Sequence, residues 1–156
     1  MNTNNPIIDF AKINDDVVIG SNVKIIMPSN LYGCEIGNNS FVGPFTEIQN
    51  DVKIGNFTKI QSHTFICSLV VIGNNCFIGH GVKFVNDKFK NGGPANGDKS
   101  KWENTYIGNN VSIGTNATIL PVKICDNAVI GAGSVVTKDI NIPGTYVGNP
   151  AKLLIK

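Results

Sequence analysis

The stretch that decides the fold is IGNNSFVGPFTEIQNDVKIGNFTK, residues 36–59. Cut into sixes it reads IGNNSF, VGPFTE, IQNDVK and IGNFTK. Each unit opens on an aliphatic residue, and its fifth place holds a small or β-branched one: Ser40, Thr46, Val52, Thr58. The same period extends in both directions. Toward the N-terminus the opening aliphatics are Ile7, Ile13, Ile19, Ile25 and Leu31, after which the register skips one residue. Toward the C-terminus it continues through Ile60, Ile66, Ile72, Ile78 and Phe84, breaks, and resumes at Ile107, Ile113 and Ile119. A second one-residue skip leads to Ile124, Ile130, Val136 and Ile142.

An α-helix, with 3.6 residues per turn, does not hold a phase of six over this distance. Short strands do, provided each ends at a corner, because first and fifth places then both point inward. Gly follows the aliphatic in nine units, and Asn pairs such as Asn38-Asn39, Asn74-Asn75 and Asn109-Asn110 come next. Both residue types tolerate the positive φ that a tight corner needs. The expected fold is therefore all-β, a solenoid of short parallel strands. Three hexads per turn make about seven coils, stacked at ~4.8 Å into a prism on the order of 30 Å long. The five-residue units Leu31–Glu35 and Ile119–Lys123 read as tightened corners.

Composition agrees with one repeat domain over residues 1–156. Hydrophobic residues make up 42% of the chain, enough for a core, whereas charged residues reach only 15%. All 13 basic residues are lysine and the net charge is +2, so the chain lacks the guanidinium fork that reads guanine edges, and no nucleic-acid partner is expected. No apolar run is long enough to cross a membrane and no basic n-region precedes an apolar stretch, which points to a cytoplasmic protein. Cys34, Cys67, Cys76 and Cys125 form no CxxC pair and read as reduced thiols.

Function is expected where the repeat fails. The largest failure is an inserted loop, KNGGPANGDKSKWENTY, at about 90–106, which carries the only tryptophan, Trp102. A loop of this length in a compact domain is usually functional. Of the two histidines, His63 follows Ile60 by three residues and His80 follows Ile78 by two. Their units lie three hexads apart, so the two stack one coil apart with side chains outward. Asn86 follows one hexad later, and His63, His80 and Asn86 are expected to form one strip beneath the loop.

The units IGNNSF-VGPFTE, IGNFTK, IGNNCF-IGHGVK, IGNNVS-IGTNAT and ICDNAV-IGAGSV resemble the hexapeptide-repeat acyltransferases over roughly residues 7–152. The resemblance implies a left-handed parallel β-helix, a homotrimer, and acetyl-CoA as cosubstrate without a metal. Two histidines are too few for the zinc-binding carbonic anhydrases of this fold. The loop of O-acetylating relatives carries a catalytic histidine that this loop lacks. FVN, residues 84–86, is instead similar to the FTN segment of nucleotide-amino-sugar N-acetyltransferases, including those acting on dTDP-3-amino-3,6-dideoxyhexoses. It implies Asn86 as the contact to the reacting sugar, with Asp87 and Trp102 on the substrate side and His63 and His80 as further catalytic candidates. IGAGSVVTKDI (130–140) and VGNPAK (147–152) are similar to the family's coenzyme A segments, implying Gly114 and Ala132 at the pantetheine arm and Thr137, Lys138 and Lys152 at the nucleotide end. The alternatives are a sugar O-acetyltransferase using a histidine base and a non-catalytic β-helix scaffold.

Overall fold

A computed structural model describes residues 12–155, so Ile7 and Ala11 of the repeat lie outside the described residues. The chain winds as a left-handed parallel β-helix of three sheets. The first sheet stacks Val18–Ile19, Glu35–Ile36, Lys53–Ile54, Val70–Ile72, Thr105–Ile107 and Lys123–Ile124. The second stacks Lys24–Ile25, Phe41–Val42, Lys59–Ile60, Phe77–Ile78, Ser112–Ile113 and Val129–Ile130, then Thr145–Val147 and an antiparallel Lys152–Leu153. The third stacks Asn30–Leu31, Glu47–Ile48, Phe65–Ile66, Lys83–Phe84, Thr118–Ile119 and Val135–Val136.

The hexad assigns these positions directly. First-place Ile48, Ile60, Ile66, Ile78, Ile113 and Ile119 have no exposed surface. Fifth-place Ser40, Thr46, Thr58 and Thr64 are also buried, and their hydroxyls are satisfied by backbone carbonyls: Thr46 donates to Gly43 at 2.8 Å and Thr58 to Gly73 at 2.8 Å. Buried hydroxyls without such partners would oppose folding.

At the corner between the first and second sheets, an Asn side chain accepts from the backbone N–H one coil away. Asn56 accepts from Asn38 at 2.7 Å, Asn74 from Asn56 at 2.8 Å, and Asn109 from Asn74 at 2.9 Å. The preceding glycines allow this approach: a Cβ on Gly55 would lie 2.6 Å from the Gly73 carbonyl carbon. The Gly-Asn signature is thus a coil-to-coil contact as well as a turn.

Two expectations need correction. Ile142 is 65% exposed, and Ile140 takes the interior place beneath Ile124. The Asp139 carboxylate accepts from the Lys123 N–H at 2.8 Å, while the Ile140 N–H donates to the Lys123 carbonyl at 2.8 Å. These bonds shorten the last corner by two residues relative to the hexad. At the other end, Ile19 is exposed and Ile13 and Ile25 are half-buried, so the first described coils cover their interior only in part.

Candidate active site

The chain passes from the second sheet to the third at a corner whose successive turns are Pro44-Phe45, Ser62-His63, His80-Gly81, Thr115-Asn116 and Ala132-Gly133. Backbone bonds run along it: His63 N–H to Pro44 O, Gly81 to Ser62, Asn116 to His80, and Gly133 to Thr115. This single edge therefore collects His63, His80, Gly114 and Ala132.

The two histidines sit in different surroundings. His80 Nδ1 lies 2.9 Å from Ser62 Oγ. When Nδ1–H donates to that oxygen, Nε2 is left as a proton acceptor. His63 is stacked on Phe45, ring centroids 4.9 Å apart and planes 12° from parallel. Its backbone carbonyl accepts from Lys83 Nζ.

Asn86 lies elsewhere. The two-residue strand Lys83–Phe84 separates it from His80, so Asn86 stands at the next corner, between the third and first sheets. The expected strip of His63, His80 and Asn86 does not exist within one chain. A hexad advances the chain by one corner, and only three hexads return it to the same one. Asn86 stacks on Ser68 instead, its Nδ2 donating to the Ser68 carbonyl at 3.2 Å, while its own carbonyl accepts from Glu103 N–H at 2.9 Å. The Ser68 carbonyl can only accept, which identifies the side-chain atom facing it as the amide nitrogen; the carbonyl bonded to Glu103 is the Asn86 backbone's. Asn86 Oδ1 has no hydrogen-bond partner among the described residues and remains an acceptor.

The loop spans 85–104, with a short 3-10 turn at Lys99–Lys101, and ends where Thr105 and Tyr106 enter a strand. Asp87 organises it from within: Oδ1 accepts from Phe89 N–H at 2.9 Å and Oδ2 from Ala95 N–H at 2.6 Å. Glu103 pairs with Lys88 at 2.8 Å and Lys90 at 2.6 Å. Hydrogen bonds from Lys88 and then Lys90 hold its carboxyl below the usual range. Trp102 is half-buried at the end of the 3-10 turn. A cleft of about 210 Å³ opens between Asp87, Lys90, Asn91, Ser100, Lys101 and Glu103.

The candidate coenzyme residues divide. Gly114 N–H is committed to the Ile130 carbonyl at 2.8 Å, so it has no donor to offer a ligand. Ala132 is exposed, and its N–H has no partner among the described residues. Thr137 and Lys138 are exposed at the corner between the third and first sheets. Lys152 pairs with Val147, and the segment leading to it is bonded to Ser134 and Val135, just after Ala132. Ser62 and Phe45 escaped the sequence reading. Their signal was there: each precedes its histidine by 18 residues, the spacing that stacks neighbours. Among the described residues no group of three or more His, Cys, Asp or Glu side chains could hold a metal ion, and no helix is long and apolar enough to cross a membrane.

Comparisons with known proteins converge on one family. Residues 69–82 and 105–138 match the hexapeptide repeat of succinyl-transferase, and residues 33–68 match the bacterial transferase hexapeptide (six repeats). A probable macrolide acetyltransferase from Lysinibacillus sphaericus is 36% identical over 116 residues, covering 59% of this chain and 62% of that protein. Across eight such curated relatives the match covers from 12% to 62% of their length, so the chain spans less than two thirds of any of these eight. The fold is shared with PerB from Caulobacter crescentus, solved with CoA and GDP-perosamine, at a TM-score of 0.63 and 20% identity, covering 91% of this chain and 56% of PerB. It is shared also with a mutant of AntD, an N-acyltransferase from Bacillus cereus solved with dTDP and coenzyme A, at 0.70 and 22%, covering 92% of this chain and 78% of AntD. The repeat matches together span more than half of the sequence, and the chain belongs to the hexapeptide-repeat transferases.

Proposed function

We infer that the protein is an acetyl-CoA-dependent N-acetyltransferase acting on a nucleotide-linked amino sugar, working as a homotrimer. The observation that carries the reading is Asn86: its amide is fixed by Ser68, and Oδ1 is left as an acceptor at the base of a loop without histidine. Such an oxygen accepts one N–H of a sugar amine and aims the lone pair without taking a proton. An amine flanked by ring carbons titrates near an α-amino group, about 7.7–8.0, so roughly a tenth of it is already the free nucleophile at pH 7. It attacks the thioester carbonyl, a backbone N–H holds the developing oxyanion, and the thiolate leaves as coenzyme A. His80 Nε2 takes the proton released as the amide forms. Both PerB and AntD were solved with coenzyme A and a nucleotide, which supports this pairing of substrates.

Splitting of the site between two corners supports the trimer. His80 and Ala132 stand on one edge, Asn86 and the loop on the next, and cyclic association brings one copy's loop against its neighbour's edge. Light scattering is expected to give three copies; a fully active monomer would refute this.

The test offers a nucleotide-linked 3-amino sugar and its 3-hydroxy counterpart with acetyl-CoA and follows thiol release. The amino sugar alone should turn over, and Asn86→Ala should cost on the order of 100-fold, more than His80→Ala. The Ser62–His80 bond favours one rival, O-acetylation with His80 as base. Turnover of the hydroxy sugar alone, abolished by His80→Ala, would establish it. Absence of any coenzyme A binding would leave a scaffold.

A further inference from the structure

Phe45 and His63 occupy equivalent places on adjacent coils, and both hold a left-handed backbone, with φ of 58° and 62°. Later coils fill the same place with Gly81, Asn116 and Gly133, the residue types that adopt this conformation readily. A phenyl ring is a poor choice for the turn itself, and an imidazole, though tolerated there, is no better suited than the asparagine or glycine of later coils. Nor do they serve the core: both are exposed, Phe45 at 58%, and they stack on one another off the corner. Phe57 also holds a left-handed backbone with an exposed ring, but at another corner and without a stacking partner among the described residues; two such rings stacked at one corner point to a ligand.

Beside the stack lies a cleft of about 260 Å³ lined by Pro28, Ser29, Asn30, Phe45, Thr46 and Glu47. Glu47 Oε1 is held by Tyr32 Oη at 3.0 Å and Gln49 Nε2 at 3.1 Å, while Oε2 takes no hydrogen bond among the described residues. The Asn30 amide has no side-chain partner there either. An aromatic wall, a carboxylate oxygen and a free amide are what a planar heterocycle with N–H and C=O groups on its edge requires.

We propose that Phe45 and His63 form the platform on which the nucleobase of the acceptor stacks, with Glu47 and Asn30 reading its edge. This rests on the acyl-transfer reading for the identity of the ligand. The position along the edge selects the acceptor over the coenzyme. The platform lies one and two coils to the N-terminal side of His80-Gly81, and Thr115 and Ala132 lie one and two coils to the other side. The two substrates therefore approach His80 from opposite ends, each across roughly 10 Å of stacked coils. His63 serves here as a stacking partner, leaving the proton to His80.

The test uses the whole protein and calorimetric titration with dTDP, UDP, GDP and coenzyme A. Phe45→Gly and His63→Asn remove a ring while suiting the backbone. Each should weaken nucleoside diphosphate binding at least tenfold, leave coenzyme A affinity unchanged, and keep or raise the melting temperature. Phe45→Tyr should retain binding. Unchanged diphosphate binding in Phe45→Gly overturns the proposal, as does a wild type that binds coenzyme A but none of the diphosphates; acyl transfer survives both results. A loss confined to coenzyme A also overturns it and assigns the platform to that molecule's adenine. A wild type that binds diphosphates through Phe45 but never coenzyme A keeps the platform and refutes acyl transfer.

Discussion

The family resemblance implies Gly114 at the pantetheine arm by position, but its neighbourhood gives it a packing duty that a ligand-free experiment can isolate. A Cβ at this position would meet Ala132 N at 2.5 Å, Ala132 Cα at 2.8 Å and the Gly131 carbonyl carbon at 2.9 Å. All three are backbone atoms, so no rotamer change relieves the contact. Restoring a separation of about 3.5 Å would lift the next coil by roughly 1 Å. The ladder bonds from Gly114 to Ile130 and from Gly133 to Thr115, both 2.8 Å, would then pass out of bonding range. Two lost bonds cost about 1 kcal/mol each, and residual overpacking adds about 1–3 kcal/mol. The stiffer unfolded chain offsets about 0.4–1 kcal/mol. Gly114→Ala should therefore destabilise by about 2–5 kcal/mol in urea titration without any ligand. The melting temperature should fall by ~5–15 °C at this chain length. Gly93→Ala is the control, since a Cβ there meets nothing within 4 Å, and it should be neutral or slightly stabilising. A Gly114→Ala protein as stable as Gly93→Ala, yet impaired toward acetyl-CoA, would refute the packing account and leave Gly114 a ligand residue only.

Loop order should depend on pH through Glu103. Its folded pKa is depressed from 4.5, chiefly by hydrogen bonds from Lys88 and Lys90, so its contribution is complete above about pH 4.5 and is lost as pH falls through the depressed value. Trp102 emission should change over that range in the wild type and not in Glu103→Gln; identical profiles would contradict the assignment. Burial pushes the Cys34 thiol up to about 11 and Cys67 up to about 12, and Cys76 is raised for the same reason. At pH 8 a thiol reagent should titrate Cys125, which is half-buried, and reach the other three only after unfolding; rapid native reaction of four thiols would disprove this. Lys138→Ala and Lys152→Ala should each raise the KM for acetyl-CoA somewhat under tenfold, as exposed charge contacts of about 1 kcal/mol do, with little effect on the sugar. Unchanged values in both would return them to plain surface.

The coil is legible in the order of residue types alone. A period of six places Ile60, Ile78 and Ile113 one above another because each closes a two-residue strand of the same sheet, and no long-range information is needed to see it. The five-residue corners were legible for the same reason, as was the existence of one long loop, which runs over 85–104 and not 90–106. The last corner was not: the Asp139 carboxylate on the Lys123 amide hands the interior to Ile140, a choice made by one side chain against a distant backbone group. The site was legible as residue types and not as an arrangement. His63, His80 and Asn86 are near in sequence, but a triangular prism converts an interval of one hexad into a different edge and an interval of 18 residues into a contact. Only the folded chain therefore pairs Ser62 with His80 and Phe45 with His63, and ties Asn86 to Ser68, because each pair is joined by the stacking of coils rather than by the chain between them.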